Sequence, residues 1–302
     1  MRAIITLLGA GVVASASVAC AQDTAEAGAT SYRSRLQPSC AWATEPSDDR
    51  HDRRCYRSEA GEYHFHIPVD LRNHAEVAAQ VDSVDAELSE GMDMAARQDR
   101  DDAKAGGLVF LPWQVDLTWE LVGMNRQLAS LIATGTLSPR PSRNPHAQPH
   151  QAAVAMLVDR RSGRFLTDAT DAFTDQMDSV RSTYCALLDI QRIANALNAD
   201  PAAGSEGQPK IVDEDGRYLG KWSCPYFGEL AVGFAGESGQ PFDRIELIAE
   251  PGIAGPEREG YYRVAMRITP ALLAQVRPDY REGFRAAKDC DDCTDPAPDQ
   301  ER

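Results

Sequence analysis

Basic residues are scarce in this 302-residue sequence, which has 31 Lys and Arg against 46 Asp and Glu and a formal net charge of −15. A protein that binds nucleic acid needs a basic surface to neutralise phosphates, and the sequence has no such patch. Negative charge also opposes docking on an anionic membrane face. It attracts cationic partners or metal ions over long range, although it also serves simply to keep a secreted protein in solution.

Signatures of catalysis and of membrane insertion are missing as well. The sequence contains no nucleophile elbow with its triad partners, no phosphate-binding loop and no dinucleotide fingerprint. No cofactor is therefore predicted. Beyond the N-terminus, no apolar run is long enough to predict a transmembrane helix. Carboxylates are abundant, but abundance does not define a catalytic pair.

Residues 1–21 have the features of a secretory signal peptide, because a positive charge precedes the apolar run 4–13 and small residues follow it. Cleavage after Ala21 would release the exported chain. A lipobox-like ending would instead place a lipid anchor on Cys20. We favour cleavage, because Ser17 stands where lipoboxes usually have a larger aliphatic residue. The predicted location is periplasmic or secreted, with membrane anchoring as a lipoprotein if Cys20 is lipidated.

Six cysteines follow Cys20, and an even number in an oxidising compartment predicts disulfide bonds. Proximity along the chain favours three pairs, which are Cys40 with Cys55, Cys185 with Cys224 and Cys290 with Cys293. The last pair has the spacing of a redox motif, but its acidic tail disfavours a reactive thiolate. A small structural disulfide is the preferred interpretation there, and metal capture is the alternative.

Hydrophobic periodicity predicts an α+β fold with two subdomains of antiparallel sheet, each packed with a helix. The clearest stretch is 227–284, which predicts three antiparallel strands and then a helix capped by Thr269. Earlier in the chain, alternation predicts a strand over 62–69 and a hairpin over 113–136. Between these lies a long helix with one apolar side and one solvated acidic side that includes Asp85.

The predicted organisation has six parts. They are the signal peptide 1–21, a mobile leader with a disulfide over 22–58, an N-terminal α+β subdomain over 59–137, a proline-rich connection over 138–150, a C-terminal α+β subdomain over 151–286 and an acidic tail over 287–302.

Two histidines are the candidate metal ligands. His64 and His66 are two residues apart on a predicted strand, so both side chains are expected on one face together with Glu62. His146 and His150, in the proline-rich connection, are the residues that would complete such a site. A solvated polar face explains the same alternation without any metal.

A second candidate site lies near the last predicted strand. Tyr261, Arg263 and Arg267 are expected on its polar face, where an aromatic ring and two guanidinium groups suit a ligand with carboxylates. The preceding loop 251–260 is rich in glycine and proline, and its residues Ile253 and Glu257 are further candidates for ligand contact. An ordinary solvated sheet face is the simpler interpretation.

Five segments together resemble a family of paired secreted domains of unknown function. They are residues 159–164, the helix around Cys185, and residues 242–245, 254–262 and 278–284. Relatives include the lysozyme-binding ectodomain of the anti-sigma factor RsiV and the N-terminal domain of a peptidoglycan deacetylase. The likeness extends over about residues 60–285 and is greatest for uncharacterised periplasmic members from proteobacteria. It implies an α+β module that acts by binding.

The sequence departs from that family in one segment. Members usually have Gly-Gly-Ala-His before the strand that leads to Asp159, whereas residues 143–150 here lack the glycines. We therefore expect a non-catalytic binding module of the cell envelope, with a lysozyme-like basic protein or cell-wall fragments as partner. An envelope hydrolase or metal-binding protein that uses histidine and carboxylate residues is the first alternative. A structural accessory protein is the second.

Overall fold

The computed structural model describes residues 38–40, 50–140, 150–199, 220, 222–256 and 259–287. Ten strands lie within these ranges: β1 (Pro38–Cys40), β2 (His51–Arg57), β3 (Gly61–Pro68), β4 (Leu111–Met124), β5 (Leu128–Arg140), β6 (His150–Asp159), β7 (Arg164–Leu166), β8 (Ala231–Ala235), β9 (Arg244–Ala249) and β10 (Tyr262–Arg267). The α-helices of the same ranges are α1 (Ala75–Ala105), α2 (Arg181–Ala199) and α3 (Pro270–Gln275). None of the described helices is long and apolar enough to cross a membrane.

The strands form two sheets, which confirms the predicted α+β class. Sheet 1 contains β1 to β7 in sequence order, and sheet 2 contains β8, β9 and β10 with β9 in the middle. Sheet 2 is antiparallel throughout, as its alternating sequence predicted. Thr269 caps α3 as expected, because its hydroxyl accepts a hydrogen bond from the Leu272 amide at 3.2 Å.

Sheet 1 differs from the prediction of purely antiparallel strands, because β3 and β4 are parallel. A parallel pair requires a crossover that returns the chain to the same end of the sheet. The 31-residue helix α1 makes that crossover. At about 1.5 Å per residue it is long enough to span the sheet from one end to the other.

Two predicted boundaries are also corrected by the pairing. Residues 51–57, placed in the mobile leader, form β2 and pair with β3 along its whole length. The proline-rich connection 138–150 does not separate the sheets, since β5 extends to Arg140 and pairs with β6, which begins at His150. Residues 141–149 lie outside the described part. A hairpin connection and an interdomain linker share the same composition, so the sequence did not separate them.

Four layers result from the alternation of the strands. Helix α1 packs on one face of sheet 1 through Val77, Val81, Val84 and Leu88. The other face of sheet 1 meets sheet 2 in a small apolar cluster of Ile132, Ala155, Ala231 and Ile248. The far face of sheet 2 then buries the largest core together with Tyr184 and Leu188 of α2. The order is helix, sheet, sheet, helix.

Disulfide-bonded cysteines occur in α2 and in β2. Cys185 of α2 is bonded to Cys224, which confirms the predicted pair, and their Cα atoms are 5.6 Å apart. Cys55 is also disulfide-bonded. Cys40 is opposite Cys55 in the β1–β2 register, as the predicted pairing of these two requires. Cys20, Cys290 and Cys293 lie outside the described residues.

Three carboxylates of α1 accept hydrogen bonds from aromatic side chains of sheet 1. The pairs are Trp119 with Asp85 at 2.7 Å, Tyr63 with Asp93 at 3.3 Å and Trp113 with Asp99 at 3.1 Å. The aromatic rings lie in the core and need a partner for their polar atoms. Helix α1 therefore faces the sheet with carboxylates among its apolar residues.

The prediction that Asp85 lies on the solvated side of the helix is wrong, because its side chain is fully buried. Its Oδ2 atom has no hydrogen-bond partner among the described residues, and Arg54 Nη1 is 3.9 Å away. Burial raises the pKa of Asp85 to about 8, against the lowering effects of the Trp119 hydrogen bond and the Arg54 charge.

We predict that Asp85→Asn stabilises the protein at high pH but not at low pH. The folded-state pKa of Asp85 is above its unfolded value of 3.8, so the wild type binds an extra proton when folded. Stability from this group is complete below about pH 4 and is lost as the pH rises through about 8. Asparagine keeps the acceptor for Trp119 without a charge. Urea unfolding should give a variant more stable by on the order of 2–4 kcal/mol at pH 9 and similar to wild type at about pH 4.

Asp101→Asn, an exposed change on the same helix, is the control and should follow the wild-type pH profile. Parallel pH profiles for Asp85→Asn and wild type would contradict the assignment of a protonated carboxyl at position 85.

Candidate functional site

Six polar side chains form two rows across three neighbouring strands of sheet 1. We call this set the polar grid. One row is Glu62 of β3, Gln114 of β4 and Ser138 of β5, and the other is His64, Asp116 and Thr136 on the same strands. Neighbouring strands are about 4.8 Å apart and alternate residues about 6.6 Å apart, so the grid covers an area near 10 by 7 Å.

Alternation on each strand places these side chains on the face opposite α1. Tyr63 and Phe65 on β3 and Val115 and Leu117 on β4 point into the core under α1, so the residues between them point outward. Sheet 2 packs on this outer face at Ile132 and Ala155, farther along the strands and on β6. The grid is the part of the outer face beside that contact.

The grid lines a groove of about 330 Å³, together with Arg53 and Val115. This volume is at the lower end of the range of small-ligand sites. The side chains that line it are mostly polar, and they stand on paired strands rather than on loops. A site on strands is held more rigidly than one on connecting segments.

His64 is held in one tautomer by Arg53. The Arg53 guanidinium can only donate, and its Nη2 atom contacts His64 Nδ1, so Nδ1 accepts and the ring proton is on Nε2. Burial, and then the charge of Arg53, lower the pKa of His64. His64 is therefore a neutral ring at pH 7, with Nε2 directed toward Glu62 Oε2 at 3.7 Å.

Asp116 is the ionised group at the centre of the grid. Its Oδ1 atom is 3.2 Å from His66 Nε2, and its side chain is 57% exposed. The hydrogen bond from His66 lowers the pKa of Asp116. The other oxygen, Oδ2, has no hydrogen-bond partner within the described ranges. Asp116 therefore presents a negative oxygen to the groove at neutral pH.

The remaining members of the grid bring one more charge and three neutral groups. Glu62 pairs with Arg57 of β2 at 2.7 Å, on a largely exposed edge. Gln114, Thr136 and Ser138 make no side-chain hydrogen bond with any other described residue. Three polar groups without a partner among the described residues, next to a carboxylate, are suited to a ligand that carries both donors and acceptors.

The metal hypothesis gains little from this geometry. His64 and His66 do share the outer face, as predicted, but no group of three or more potential metal ligands occurs in the described parts of the chain. His150 is opposite Leu137 in the register, and Leu137 packs in the core under α1. His150 is therefore on the opposite face from His64. His146 lies outside the described residues.

The predicted patch on β10 faces sheet 1. The Tyr261 hydroxyl lies 2.7 Å from the Gly135 carbonyl oxygen and 2.9 Å from that of Ala152, and it accepts from the Gly135 amide at 2.9 Å. A Cβ atom on Gly135 would be 1.9 Å from the Asp116 carbonyl oxygen, so only glycine fits there. Tyr261 thus connects the two sheets beside the polar grid.

The other predicted contact residues are dispersed. Arg263 is 3.6 Å from Glu120 of β4, and Arg267 is half-buried. Ile253 is half-buried in a loop whose Ala254 carbonyl accepts a hydrogen bond from the buried Arg192 at 2.7 Å. Glu257 lies outside the described residues.

Sequence reasoning identified two of the six grid residues, Glu62 and His64. It missed Asp116, Gln114, Thr136 and Ser138, because nothing in the sequence showed that β3 pairs with β4. The outward positions of β4 were visible as the alternation Gln114, Asp116, Thr118, Glu120. A long helix after a strand, followed by another strand, was the signal for a parallel pair.

Comparison with known proteins gives limited similarity. No protein-family model matches the sequence, and no curated protein is significantly similar to it. Among solved structures, a DUF3298 family protein from Pseudomonas aeruginosa PAO1 aligns over 78% of this chain and 98% of its own, with 14% identity and a TM-score of 0.42. A DUF3298 family member from Bacteroides fragilis NCTC 9343 aligns over 77% and 94%, with 11% identity and a TM-score of 0.36.

We predict that Tyr261→Phe destabilises the protein by about 1–3 kcal/mol, because the Gly135 amide loses its acceptor between the sheets. Chemical unfolding at pH 7 measures the change. Tyr226→Phe is the matched control, since this ring is 65% exposed and its contact with Arg181 involves the ring face. Equal stability of the two variants would show that the Tyr261 hydroxyl does not hold the sheets together.

Proposed function

We propose that this protein is a secreted or periplasmic, non-catalytic binding module of the cell envelope that binds cell-wall fragments in the polar grid. The observation that carries the proposal is the groove itself. Gln114, Thr136 and Ser138 have no described hydrogen-bond partner, and they stand on rigid strands beside the ionised Asp116.

Two observations support an exported protein. The Cys185–Cys224 bond is of a kind that persists in oxidising compartments and is rare in the cytosol. The N-terminal sequence has the pattern of a signal peptide. Whether Cys20 carries a lipid anchor is a separate proposal, which the mass of the mature N-terminus tests.

The chemistry of the groove supports a fragment of cell wall as the ligand. Such fragments combine sugar hydroxyls with peptide amides and carboxylates, and hydroxyl and amide side chains hydrogen-bond both kinds of group. A groove of about 330 Å³ accommodates a sugar ring or a short peptide rather than a folded partner. A large basic protein would need a wider surface than the grid provides.

The contacts of His64 support binding rather than catalysis. A histidine that activates a serine must hydrogen-bond its hydroxyl and be oriented by a further acceptor. Here Nδ1 is engaged by Arg53, a donor, and neither Ser138 nor Thr136 contacts the ring within the described ranges. The ring nitrogen that would act as the base, Nδ1, is therefore already occupied by a donor.

The resemblance to secreted envelope domains favours the same class of function and also suggests lysozyme-like proteins as partners. The net charge of −15 would attract such basic proteins. We prefer cell-wall fragments because a defined groove is present. Lysozyme should therefore be tested as the alternative ligand in the same binding assay.

We predict that the protein binds purified muropeptides and that Gln114→Ala/Thr136→Ala weakens this binding about tenfold, because two hydrogen bonds of about 1 kcal/mol or less each are lost. Isothermal titration calorimetry at low salt measures the affinity. Gln98→Ala/Thr174→Ala is the matched control, since both residues are exposed and neither lines the groove. Its affinity should equal that of wild type.

Two outcomes would contradict the proposal. One is the absence of muropeptide binding while lysozyme binds. The other is equal weakening by the grid variant and the control variant.

A further inference from the structure

The geometry points to an ammonium group as the part of the ligand that the polar grid recognises, held against Asp116 and Glu62. This inference rests on the proposed function and specifies its ligand: a cell-wall fragment with a free amine, from an amino acid of the peptide stem or from an amino sugar without its acetyl group.

The groove lining itself contains more carboxylates than guanidinium groups. Two carboxylates, Asp116 and Glu62, line it together with one guanidinium, that of Arg53. His64 contributes no compensating charge, because its Nδ1 atom is occupied by the Arg53 donor and its Nε2 atom carries the neutral ring's proton. Arg57 pairs with Glu62 from outside the groove lining, so Asp116 is the carboxylate whose charge faces the groove.

Asp116 has a free position for that cation. His66 occupies Oδ1 at 3.2 Å, and Oδ2 has no hydrogen-bond partner in the described part of the structure. The side chain is 57% exposed, so a ligand can reach it. Charge-assisted hydrogen bonds to carboxylates are the stronger kind, which makes this oxygen the natural contact for an N–H donor.

Glu62 can also be shared with a ligand. Its partner Arg57 is 65% exposed and Glu62 itself 37% exposed, and exposed pairs of this kind are weak. An ammonium in the groove can therefore join the pair without breaking a buried interaction. Arg53 differs, because its guanidinium already contacts His64 Nδ1.

The neutral residues complete the geometry for an amine. An ammonium group has three donors and no acceptor. Asp116 Oδ2 accepts one, and the Thr136 hydroxyl and the Gln114 amide oxygen, on the adjacent positions of the grid, are placed to accept the others. An acetylated amine has one donor and a bulky carbonyl group, and it carries no charge.

The test compares one muropeptide with a free amine and the same compound after acetylation of that amine, by isothermal titration calorimetry at pH 7 and low salt. A muropeptide whose amine is on the peptide stem and one whose amine is on the sugar distinguish the two sources. Acetylation should weaken binding to wild type at least tenfold. Asp116→Asn, an isosteric change, should remove most of that difference between the free and acetylated forms.

Asp101→Asn is the matched control, since it removes an exposed carboxylate on α1 and should leave the discrimination unchanged. Equal affinity of wild type for the free and acetylated compounds would overturn the ammonium inference and leave the proposed function intact. Retention of the full difference by Asp116→Asn would also overturn it. Binding of neither compound would overturn the proposed function and this inference together.

Discussion

The contact between the two sheets decides which part of the molecule is available to a ligand. Sheet 2 covers the outer face of sheet 1 around Ile132 and Ala155, where it contributes Ala231 and Ile248, and Leu128 and Leu157 of the same face join the core of sheet 2. Burying a large apolar side chain contributes about 1.5–3 kcal/mol, and this cluster contains only two of them, Ile132 and Ile248. The contact between the sheets therefore needs further interactions at its edge. Hydrogen bonds supply them: the Phe234 amide donates to Ser130 Oγ at 2.8 Å, and the Ala153 amide donates to Glu250 at 2.7 Å. The uncovered remainder of the face carries the polar grid.

The opposite face of sheet 1 makes the grid rigid. Helix α1 packs there with its apolar residues and also with carboxylates that accept from Trp119, Tyr63 and Trp113. These bonds fix aromatic side chains on the same strands, β3 and β4, whose alternate residues form the grid. A buried carboxylate such as Asp85 carries a cost in desolvation, which is visible in its raised pKa. Helix α1 therefore holds the strands that bear Glu62, His64 and Asp116 from the opposite face of sheet 1.

Local patterns in the sequence predicted local structure well. Alternation located the strands of sheet 2, the Thr269 cap marked the start of α3, and proximity paired Cys185 with Cys224. Properties that depend on which distant segments meet were not accessible. The parallel pairing of β3 with β4, the burial of Asp85 and the position of Tyr261 between the sheets all follow from tertiary contacts. The sequence showed outward-facing polar residues on separate strands. It did not show the register that brings them together across the sheet.

The proposed function depends on a ligand that binds on the outer face of β3, β4 and β5. Side-chain nitrogen NMR of histidine-labelled protein, titrated with a muropeptide mixture, tests it most directly, because His64 lines the groove and His66 contacts Asp116, whereas His74 precedes α1 beside Arg160. Binding in the groove should produce saturable shifts of the His64 and His66 resonances and leave the His74 resonance unchanged. Saturable binding that leaves both His64 and His66 unmoved would contradict it.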